Sequence, residues 1–547
     1  METKQSSLAT PVLTKSTIES PLASSLPLPA SISREIRLRY QQTINIEVMS
    51  SWRTLKDPSL LIGKNLIGGK WVEALSGQRF DVFDPATTQR IGSCPESGEQ
   101  DALQAIDAAA KAMPAWRTRT GRERSRILRR WYELVLENKE DLAKLISWEN
   151  GKAQADAMGE VQFAASFLEW FAEEAARVYG DVIPHSTPGY RVVVSKEPVG
   201  VCGLITPWNF PGAMVTRKLG PALAAGCAVV LKTAGETPFT ATAMAYLAEK
   251  AGVPAGVINI VNALENTPQI GQVLCSSPII RKISFTGSTR VGRLLMKQSS
   301  DTVKKLSLEL GGNAPFIVFD DADVDLAVKG VVVAKFKVTG QTCVCANRIY
   351  VQSGVYDYFI KKLTASVAAF KIGNATDSTV THGPLINAGA ALRVSEMVED
   401  AVKKGAQVVV GGKKIPELGP AFYEPTILSG NITQDMRIVQ EEIFGPVAAI
   451  QKFDTEDSVV DAANDCDVGL ASYVYTENLG RAARVSELLH SGMVAVNSGV
   501  ISDAASPFGG IKQSGIGREG SKYGLDDYMQ TKTLVVGNLN IVHRASI

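Results

Sequence analysis

Short apolar segments alternate with segments of helical spacing from about residue 100 onward, and this alternation limits the fold more than any other feature. The segments at 200–205, 228–232 and 257–261 are almost wholly apolar, whereas 101–116 and 122–146 carry apolar residues at helical intervals. Strands that are apolar on both faces are typical of parallel sheets covered by helices on each side. The sequence therefore predicts an α/β protein with doubly wound sheets.

A second series of the same kind begins near Lys304 and continues through 323–337, 356–370 and 407–410. A chain of 547 residues has room for several domains of about 150 residues each. No segment repeats at a fixed period, which argues against a solenoid. We therefore expect two α/β domains, with a connecting β-hairpin near 180–200.

The charge balance limits the partners of the chain. It has 57 Lys and Arg residues against 56 Asp and Glu residues, so its formal net charge is +1. A nucleic-acid-binding protein would normally show a basic excess, and nothing here favours attraction to an anionic membrane. The longest apolar stretches, such as 222–231, are far shorter than the roughly 20 residues that span a bilayer. We expect neither a nucleic acid nor a membrane as partner.

The cysteines and the N-terminal segment bear on the compartment. Seven scattered cysteines without a dense framework predict reduced thiols in an intracellular protein, and the spacing of Cys343 and Cys345 does not suit a metal. Residues 1–33, rich in Ser, Thr, Pro and Leu, are predicted to be disordered. They lack a secretory apolar core and contain no Arg before Arg34, unlike Arg-rich mitochondrial presequences. A cytoplasmic location is expected, with a mitochondrial one as the alternative.

Two glycine motifs could cradle a phosphate. The spacing GxGxxG occurs at Gly515, Gly517 and Gly520, but it follows a turn-like stretch and no full βαβ unit comes after it, so we interpret it as a decoy. The turn at 285–292 lies between an expected strand and an expected helix, where Gly287 and Ser288 could meet a phosphate at the helix N-terminus. An ordinary strand-to-helix turn explains this motif equally well.

Three residue types with catalytic chemistry stand in turns or at strand ends. Prolines on both sides stiffen the loop that holds Asn209, whose amide could stabilise an oxyanion or could simply form a turn. Glu309 ends a strand-like alternation, where a carboxylate is either a general base or a solvated strand end. Cys343 follows Gly340 in a loop and is either a nucleophile or an apolar filler. The four histidines show no pairing with a cysteine, which leaves Glu309 as the candidate base.

Taken together, the motifs resemble those of the NAD(P)-dependent aldehyde dehydrogenases, in the same order, from about residue 60 to the C-terminus. Segments 508–528 and 342–345 are most similar to the succinate-semialdehyde branch of that family. The motifs are PWNFP at 207–211, FTGSTRVG at 285–292, ELGG at 309–312, GQTC at 340–343, EEIFGP at 441–446 and PFGG at 507–510.

The resemblance implies the catalytic roles. Cys343 would add to the aldehyde to form a thiohemiacetal, which becomes a thioester when hydride leaves to the nicotinamide. Glu309 would activate the water that hydrolyses the thioester, and its presence favours a free acid over transfer to coenzyme A. Asn209 and the backbone N–H of Cys343 would form the oxyanion hole.

The resemblance also implies a cofactor site for NADP or NAD. Lys232 and Glu442 would contact the riboses, Phe444 the nicotinamide and Ser288 the pyrophosphate. The family usually has a Glu at the position of Gly235, so its absence removes repulsion of a 2′-phosphate and favours NADP, although Glu236 could oppose this. The implied cofactor residues are Ile205, Thr206, Trp208, Lys232, Gly235, Gly287, Ser288, Gly292, Glu442 and Phe444.

For the substrate, the resemblance implies that Arg217 and Ser502 hold a far carboxylate, although a surface or interface Arg would be the ordinary interpretation of Arg217. A second Arg of the family is replaced by Lys337, which keeps the charge but loses the bidentate fork, and Val338 replaces the usual Asn. Succinate semialdehyde is the expected substrate, with another semialdehyde or a larger aldehyde as the alternative. Cys345 is either a packing residue or the partner of Cys343 in a disulfide that switches activity off.

The expected domains follow from the same resemblance. The resemblance implies a homodimer or homotetramer, and a protruding hairpin and a terminal strand would leave exposed edges that favour partners. A non-catalytic protein of this fold and an acylating dehydrogenase are the rival interpretations. The domains are a disordered extension at 1–55, a cofactor domain at 56–179 and 201–311, a catalytic domain at 312–510, and an oligomerisation element at 180–200 and 511–547.

Overall fold

The computed structural model describes residues 54–539, and the predictions for the N-terminal extension lie almost entirely outside that range. Within it, apolar strands and amphipathic helices alternate as the sequence predicts, which confirms the α/β class. The strands are β1 (Asn65–Ile67), β2 (Lys70–Val72), β3 (Arg79–Phe83), β4 (Arg90–Pro95), β5 (Asp181–Pro184), β6 (Arg191–Pro198), β7 (Val201–Ile205), β8 (Ala228–Lys232), β9 (Ile258–Val261), β10 (Ile280–Thr286), β11 (Lys305–Glu309), β12 (Ala314–Val318), β13 (Ala346–Gln352), β14 (Ala406–Val410), β15 (Thr426–Gly430), β16 (Val447–Phe453), β17 (Val468–Gly469), β18 (Ala471–Tyr475), β19 (Met493–Val496), β20 (Ile511–Lys512), β21 (Gly515–Ile516) and β22 (Met529–Val536).

The helices cover both larger sheets, and among the described residues none is long and apolar enough to cross a membrane. Short 3₁₀ segments connect several of them. The α-helices are α1 (Glu99–Arg117), α2 (Gly121–Glu137), α3 (Lys139–Asn150), α4 (Gln154–Glu174), α5 (Ala213–Ala225), α6 (Pro238–Lys250), α7 (Thr267–Ser276), α8 (Thr289–Ser299), α9 (Val324–Val331), α10 (Tyr356–Ala368), α11 (Ala388–Lys403), α12 (Arg437–Gln440), α13 (Glu456–Asn464), α14 (Leu479–Leu488) and α15 (Ser521–Asp526).

The first sheet has the strand order β2-β1-β9-β8-β7-β10-β11-β21. Strands β9, β8, β7, β10 and β11 are parallel, whereas β1 and β21 are antiparallel to their neighbours at the two edges. The chain proceeds outward from β7 to β9 and then returns to place β10 beside β7. This reversal opens a crevice at the carboxyl ends of β7 and β10, where α/β sheets bind their ligands.

The second sheet has the order β14-β15-β16-β13-β12-β18-β19 and is parallel except for the edge strand β14. Residues 310–313 lead directly from the carboxyl end of β11 in the first sheet to the amino end of β12 in the second. Cys343 lies just before β13, also at an amino end. The carboxyl ends of one sheet therefore adjoin the amino ends of the other.

A third, smaller sheet contains the predicted hairpin. Strands β5 and β6 pair antiparallel, and β22 pairs along the whole of β6, with Thr533 opposite Val194. Residues 511–516 do not join this sheet, because β20 pairs with β17 and β21 with β11. The domain boundaries themselves stay predictions.

Three local predictions were wrong in detail. The strand beginning at Lys305 belongs to the first sheet, so the second series begins at β12. The apolar spacing of 122–146 continues across two helices, α2 and α3, which meet at Asn138 because its Nδ2 donates 2.8 Å to the carbonyl of Leu134. The predicted helix 323–337 is α9 followed by a π-helical segment, Val332–Phe336.

The glycine motif at 515–520 is not a dinucleotide turn, as predicted. Gly515 lies in β21, which is antiparallel to β11, and the following helix α15 covers only six residues. A side chain at Gly515 would lie 1.8 Å from the carbonyl oxygen of Leu308, so glycine is required here for the close approach of two strands.

Candidate active site

One cavity of about 580 Å³ collects the predicted catalytic residues. Asn209 reaches it from the loop between β7 and α5, Glu309 from the end of β11, and Cys343 from the loop before β13. Asn209 and Cys343 are 134 residues apart along the chain, with Glu309 between them. The reversal of strand order in the first sheet and the junction of the two sheets bring the three residues to one cavity.

The loop that carries Cys343 is tightly constrained. Val338 and Thr339 both adopt left-handed backbone angles with φ of 53°, and the N–H of Val338 donates 3.0 Å to Oδ2 of Asp156 on α4. A side chain at Gly312 would lie 2.4 Å from the carbonyl oxygen of Cys343, so this glycine permits the approach of the loop. The backbone N–H of Cys343 has no hydrogen-bond partner among residues 54–539 and can serve an oxyanion.

The thiol itself is neutral at rest. Burial, and then the nearby carboxylate of Glu309, raise the pKa of Cys343 well above the usual thiol range, while Arg217 partly opposes the rise. The thiolate is the nucleophilic form, so a base must remove the proton when a carbonyl compound arrives.

Asn209 is held by its own loop and by the cysteine loop. Its Nδ2 donates 3.0 Å to the carbonyl of Gln341, and its own carbonyl accepts from Nζ of Lys152 at 2.7 Å. Asn150 fixes the preceding residue through a 3.0 Å hydrogen bond to the carbonyl of Trp208. A primary amide has two N–H donors, so one donor of Asn209 is left for a ligand.

Glu309 belongs to a cluster of four buried charges. The guanidinium of Arg217 binds Oε2 of Glu309, and its Nε donates 2.7 Å to Oε2 of Glu519. Lys218 binds the other oxygen of Glu519 and donates 3.0 Å to Oγ of Ser284. All four charged side chains are almost fully buried, and two cations balance two carboxylates.

The two carboxylates of this cluster have opposite acid strengths. Burial raises the pKa of Glu309 to about 8, although Arg217 works against it. Burial would also raise the pKa of Glu519, but Lys218 and Arg217 hold it at about 2. Oε1 of Glu309 is buried and has no partner among the described residues. The two cations thus favour the ionised form of Glu519, whereas burial favours the protonated form of Glu309, which can then exchange a proton.

At the carboxyl edge of the first sheet, Lys232 ends β8 directly beside Ile205 of β7. Its side chain is buried without a hydrogen bond or ion pair among the described residues, and burial lowers its pKa to about 8. Its carbonyl accepts from the N–H of Thr206 at 3.2 Å. A side chain at Gly235 would lie 2.6 Å from Cδ1 of Leu264, so the structure keeps this position empty beside the lone cation.

The predicted phosphate turn lies at the N-terminus of α8. The N–H of Gly287 donates 3.0 Å to the carbonyl of Glu309, and Ser288 is the exposed N-cap residue. A side chain at Gly292 would lie 2.4 Å from Cδ2 of Leu310, so the glycine lets α8 pack close to β11. An open helix N-terminus and a buried unpaired lysine on the same sheet edge fit a dinucleotide phosphate and ribose.

The loop 441–446 closes the cavity from the second sheet. Oε1 of Glu442 accepts from the N–H of Gly312 at 3.2 Å, and burial raises its pKa to about 7. The ring of Phe444 meets Trp208 edge-on at 5.4 Å. Arg393 of α11 holds this loop by donating 2.8 Å to the carbonyl of Glu442, a role that no local motif indicated.

The residues expected to bind the substrate are all on the cavity wall. Arg217 is 1% exposed, so the surface or interface interpretation was wrong. Its Nη1 has no hydrogen-bond partner among the described residues, and its guanidinium lies 4.2 Å from the ring centre of Phe508. Exposed Lys337 and half-buried Ser502 line the same cavity.

Cys345 lies behind the nucleophile loop. Its Sγ is buried, donates 3.1 Å to the carbonyl of Gly340, and has a pKa raised by burial. Both it and Cys343 are free thiols in this structure.

A thiol that shares a cavity with a carboxylate base and adjoins a dinucleotide cradle is characteristic of oxidoreductases that act on carbonyl compounds. Residues 71–534 match the sequence model of the aldehyde dehydrogenase family. The chain therefore belongs to the aldehyde dehydrogenase family, which confirms the resemblance and the assignment as an enzyme.

Individual relatives are close over nearly their whole length. A glutarate-semialdehyde dehydrogenase of Pseudomonas aeruginosa is 53% identical over 485 residues, which is 89% of this chain and 100% of that protein. A succinate-semialdehyde dehydrogenase [NADP(+)] of Schizosaccharomyces pombe is 54% identical over 477 residues, 87% of this chain and 95% of that protein. The crystal structure of succinate-semialdehyde dehydrogenase from Burkholderia pseudomallei has a TM-score of 0.87 at 53% identity and covers 88% of this chain and 100% of that one.

Proposed function

We propose that this aldehyde dehydrogenase oxidises short aldehydes with a carboxylate at the far end, and succinate semialdehyde first among them, to the corresponding acid. The observation that carries the proposal is the buried guanidinium of Arg217, whose Nη1 has no partner in the described protein. A buried guanidinium with an unused donor suits a carboxylate, and Ser502 and Lys337 add a hydroxyl and a second cation. The relatives named for two semialdehydes are consistent with such a substrate.

In the proposed mechanism, Glu309 accepts the thiol proton of Cys343 and the sulfur attacks the carbonyl carbon. The free N–H of Asn209 and the backbone N–H of Cys343 stabilise the oxyanion of the thiohemiacetal. Bound NADP or NAD supplies the hydride acceptor. Glu309 gives up the thiol proton to solvent and then takes a proton from water, which attacks the resulting thioester; the acid is released and the sulfur regains a proton as the free thiol. One water and one oxidised cofactor are consumed for each acid, reduced cofactor and proton released.

The test of this mechanism uses the change Cys343→Ser. Turnover should fall by at least about a thousandfold, as for other covalent nucleophiles, while binding of the cofactor persists. The readout is absorbance of the reduced nicotinamide with succinate semialdehyde and NADP. Undiminished turnover would exclude the covalent route, and a signal that requires coenzyme A would favour the acylating dehydrogenase. A wild-type protein inactive with every aldehyde would favour a non-catalytic member of the fold.

The substrate proposal is tested by comparing kcat/KM for succinate semialdehyde, glutarate semialdehyde and butanal. We expect succinate semialdehyde to lead and butanal to be last. Arg217→Ala should raise the KM for both semialdehydes, and a matched control is Arg124→Lys, another buried arginine that donates to the carbonyl of Ala224. Equal kcat/KM for butanal and the semialdehydes would contradict carboxylate recognition.

For the cofactor, we propose that NADP is used at least as well as NAD. Position 235 carries no carboxylate to repel a 2′-phosphate, and Lys232 offers an uncompensated buried cation. Glu236 and, to a smaller extent, Glu96 lie close enough to raise the pKa of Lys232, so these two anions oppose this preference. A strong preference for NAD in kcat/KM would overturn it.

We also propose that the sheet β5–β6–β22 mediates a homodimer or homotetramer. Its outer strands expose Val182, Ile183, Leu534 and Val535, an apolar surface that favours a protein partner. A monomer by light scattering would contradict this. A reducing compartment, the cytoplasm first and the mitochondrion second, suits the seven free thiols.

Finally, we propose that peroxide can oxidise Cys343 and Cys345 to a disulfide, with peroxide reduced to water, and so stop turnover. The two cysteines flank one residue, and a ring this small is strained and easily reduced. The wild type should lose activity to peroxide and regain it with a thiol, whereas Cys345→Ala should not lose activity in this way. Equal sensitivity of both proteins would leave Cys345 as a packing residue.

A further inference from the structure

Arg217 has more carboxylate partners available than it can hold at once. Its Nε donates to Glu519, its Nη2 binds Glu309 and also lies 3.3 Å from Sδ of Met214, and only Nη1 is unused. A substrate carboxylate that forms two parallel hydrogen bonds needs two guanidinium nitrogens. Bidentate binding of the substrate therefore requires Arg217 to give up one of its present partners.

The contacts decide which partner leaves. Glu519 is also bound by Lys218 and accepts from Oγ of Ser284 at 3.2 Å, so it has three ligands on its two oxygens. Besides Arg217, only the hydroxyl of Thr286 donates to Glu309, at 3.3 Å; its other close neighbour, the carboxyl of Glu519, disfavours its ionised form, and its Oε1 has no donor among the described residues. Glu309 is thus the carboxylate that an incoming anion can displace.

The ion pair with Arg217 also limits what Glu309 can do. A carboxylate oxygen that accepts from a guanidinium is a weaker base than a free one, because the cation stabilises its ionised form. While its Oε2 binds Arg217, the carboxylate of Glu309 is also held in place and is not free to turn toward a water near Cys343.

We propose that Arg217 couples substrate recognition to hydrolysis: the substrate carboxylate replaces Glu309 on the guanidinium, and Glu309 is thereby released to activate water. The coupling rests on the proposed carboxylate recognition. The carboxylate of the acyl group on Cys343 stays on Arg217 until the thioester is hydrolysed, so Glu309 stays released throughout hydrolysis. An aldehyde without a carboxylate still acylates the thiol, because the unpaired Oε1 of Glu309 can take the thiol proton, but Oε2 of Glu309 stays tied to Arg217.

The experiment uses the wild-type enzyme with NADP and supplies the two halves of succinate semialdehyde separately. Propanal provides the aldehyde and sodium formate the carboxylate, with sodium chloride keeping the ionic strength constant. Propanal alone should give a burst of one reduced cofactor per active site and then a slow steady state, because hydrolysis limits it. Formate should raise the steady-state rate roughly tenfold, within the usual range for coupled ligands, in a saturable way and with an unchanged burst.

Each other outcome overturns the coupling. A burst-free time course, no turnover of propanal, or a steady-state rate that formate leaves unchanged or lowers would each show that Glu309 does not wait for an anion. Acceleration by chloride to the same extent would show that ionic strength, rather than a carboxylate, is responsible.

Variants at Arg217 provide the second measurement. Arg217→Gln removes the tether, so formate should no longer accelerate propanal turnover, while KM for succinate semialdehyde rises. Arg217→Lys keeps a cation between Glu309 and Glu519 if the first variant unfolds, and it should also abolish the response because it lacks the fork. A formate response that survives in the folded variant contradicts the role of Arg217, and Arg124→Lys, outside the cavity, should respond like the wild type.

Failure of the coupling is distinguishable from failure of the proposed function. If the enzyme recognises no carboxylate, succinate semialdehyde and butanal have similar kcat/KM. If recognition holds and only the coupling fails, succinate semialdehyde is preferred through KM while propanal shows no formate response.

Discussion

The substrate end and the cofactor end of the site handle buried charge in opposite ways. At the substrate end, Arg217 and Lys218 are matched by Glu309 and Glu519 in direct contact. At the cofactor end, Lys232 is buried without an ion pair in the described protein, although Glu236 and Glu96 lie close enough to raise its pKa, and position 235 carries a glycine rather than a carboxylate.

The two arrangements of buried charge imply two different ways of binding an anionic ligand. A balanced network fixes its members in place and resists any change in their number, because an uncompensated charge in the interior is costly. A lone buried lysine is already uncompensated, and its lowered pKa reflects that cost. The substrate end therefore exchanges one anion for another, whereas the cofactor end gains an anion.

The largest effect should come from breaking the balance at the substrate end with Glu519→Gln. This change leaves Arg217 and Lys218 sharing only Glu309, and removing one partner of a buried pair costs about 3–5 kcal/mol. Chemical or thermal unfolding measures the loss, and turnover should fall with it because Arg217 and Glu309 lose their positions.

A matched control for that change is Glu456→Gln, which breaks a half-buried ion-pair group at the surface with Arg481 and Arg484. Such surface pairs contribute less than about 1 kcal/mol. If the two variants lost similar stability, the buried cluster would not be the balanced network described here.

The buried charge cluster could not be predicted from the sequence, unlike the strands beside it. The strands β7, β8 and β10 could be predicted because their apolar runs and flanking glycines are local signals. Glu519 could not, because its partner Arg217 is 302 residues away and its own segment contains the GxGxxG decoy. The assignment of strands to sheets could not be predicted for the same reason, because it depends on contacts between distant segments. The alternation before Glu309 predicted a strand but not its place beside β10.

The catalytic residues could be predicted from the sequence only in part. Cys343, Glu309 and Asn209 each had an ordinary structural explanation, and only their order among several motifs singled them out. Their approach depends on glycines such as Gly312, whose missing side chain permits a contact that no periodicity predicts. Roles that consist of holding a loop, such as those of Asp156 and Arg393, left no local signal.

At the cofactor end, Gly235→Glu should sharpen the contrast by supplying the missing anion. Leu264, which is 41% exposed, must move outward to make room, and the new carboxylate should repel a 2′-phosphate. The ratio of kcat/KM for NADP to that for NAD should fall by about 10–100-fold, as expected for opposed charges in a binding site. Gly235→Gln adds the same bulk without charge and separates sterics from electrostatics. An equal fall in both variants would assign the effect to volume alone.

The pH dependence of hydrolysis tests the state of Glu309. Its raised pKa, about 8, means that the carboxylate is protonated and inactive as a base below that pH and ionised above it. The steady-state rate with saturating NADP should therefore rise with pH, losing about tenfold for each unit well below pH 8, and level off above it. The pKa of Cys343 lies too high to contribute to this rise. Glu309→Gln should remove both the activity and the pH dependence. A wild-type profile that is flat from about two units below to about one unit above the pKa of Glu309 would contradict the assignment of the base.

The smallest effect should come from Val303→Asn, a change just before β11 and far along that strand from Glu309. Val303 is 90% exposed and has left-handed backbone angles, with φ of 47° and ψ of 51°, which a β-branched side chain adopts only at a cost. Asn tolerates this conformation, so the free energy of unfolding should increase by about 1 kcal/mol. The control Val402→Asn, on the exposed face of α11, should leave stability nearly unchanged because Val and Asn have similar helix propensities. Since Val303 contacts neither end of the site, kcat should stay constant while stability rises; a change in kcat would mean that strain at one end of β11 is transmitted to the carboxylate at the other.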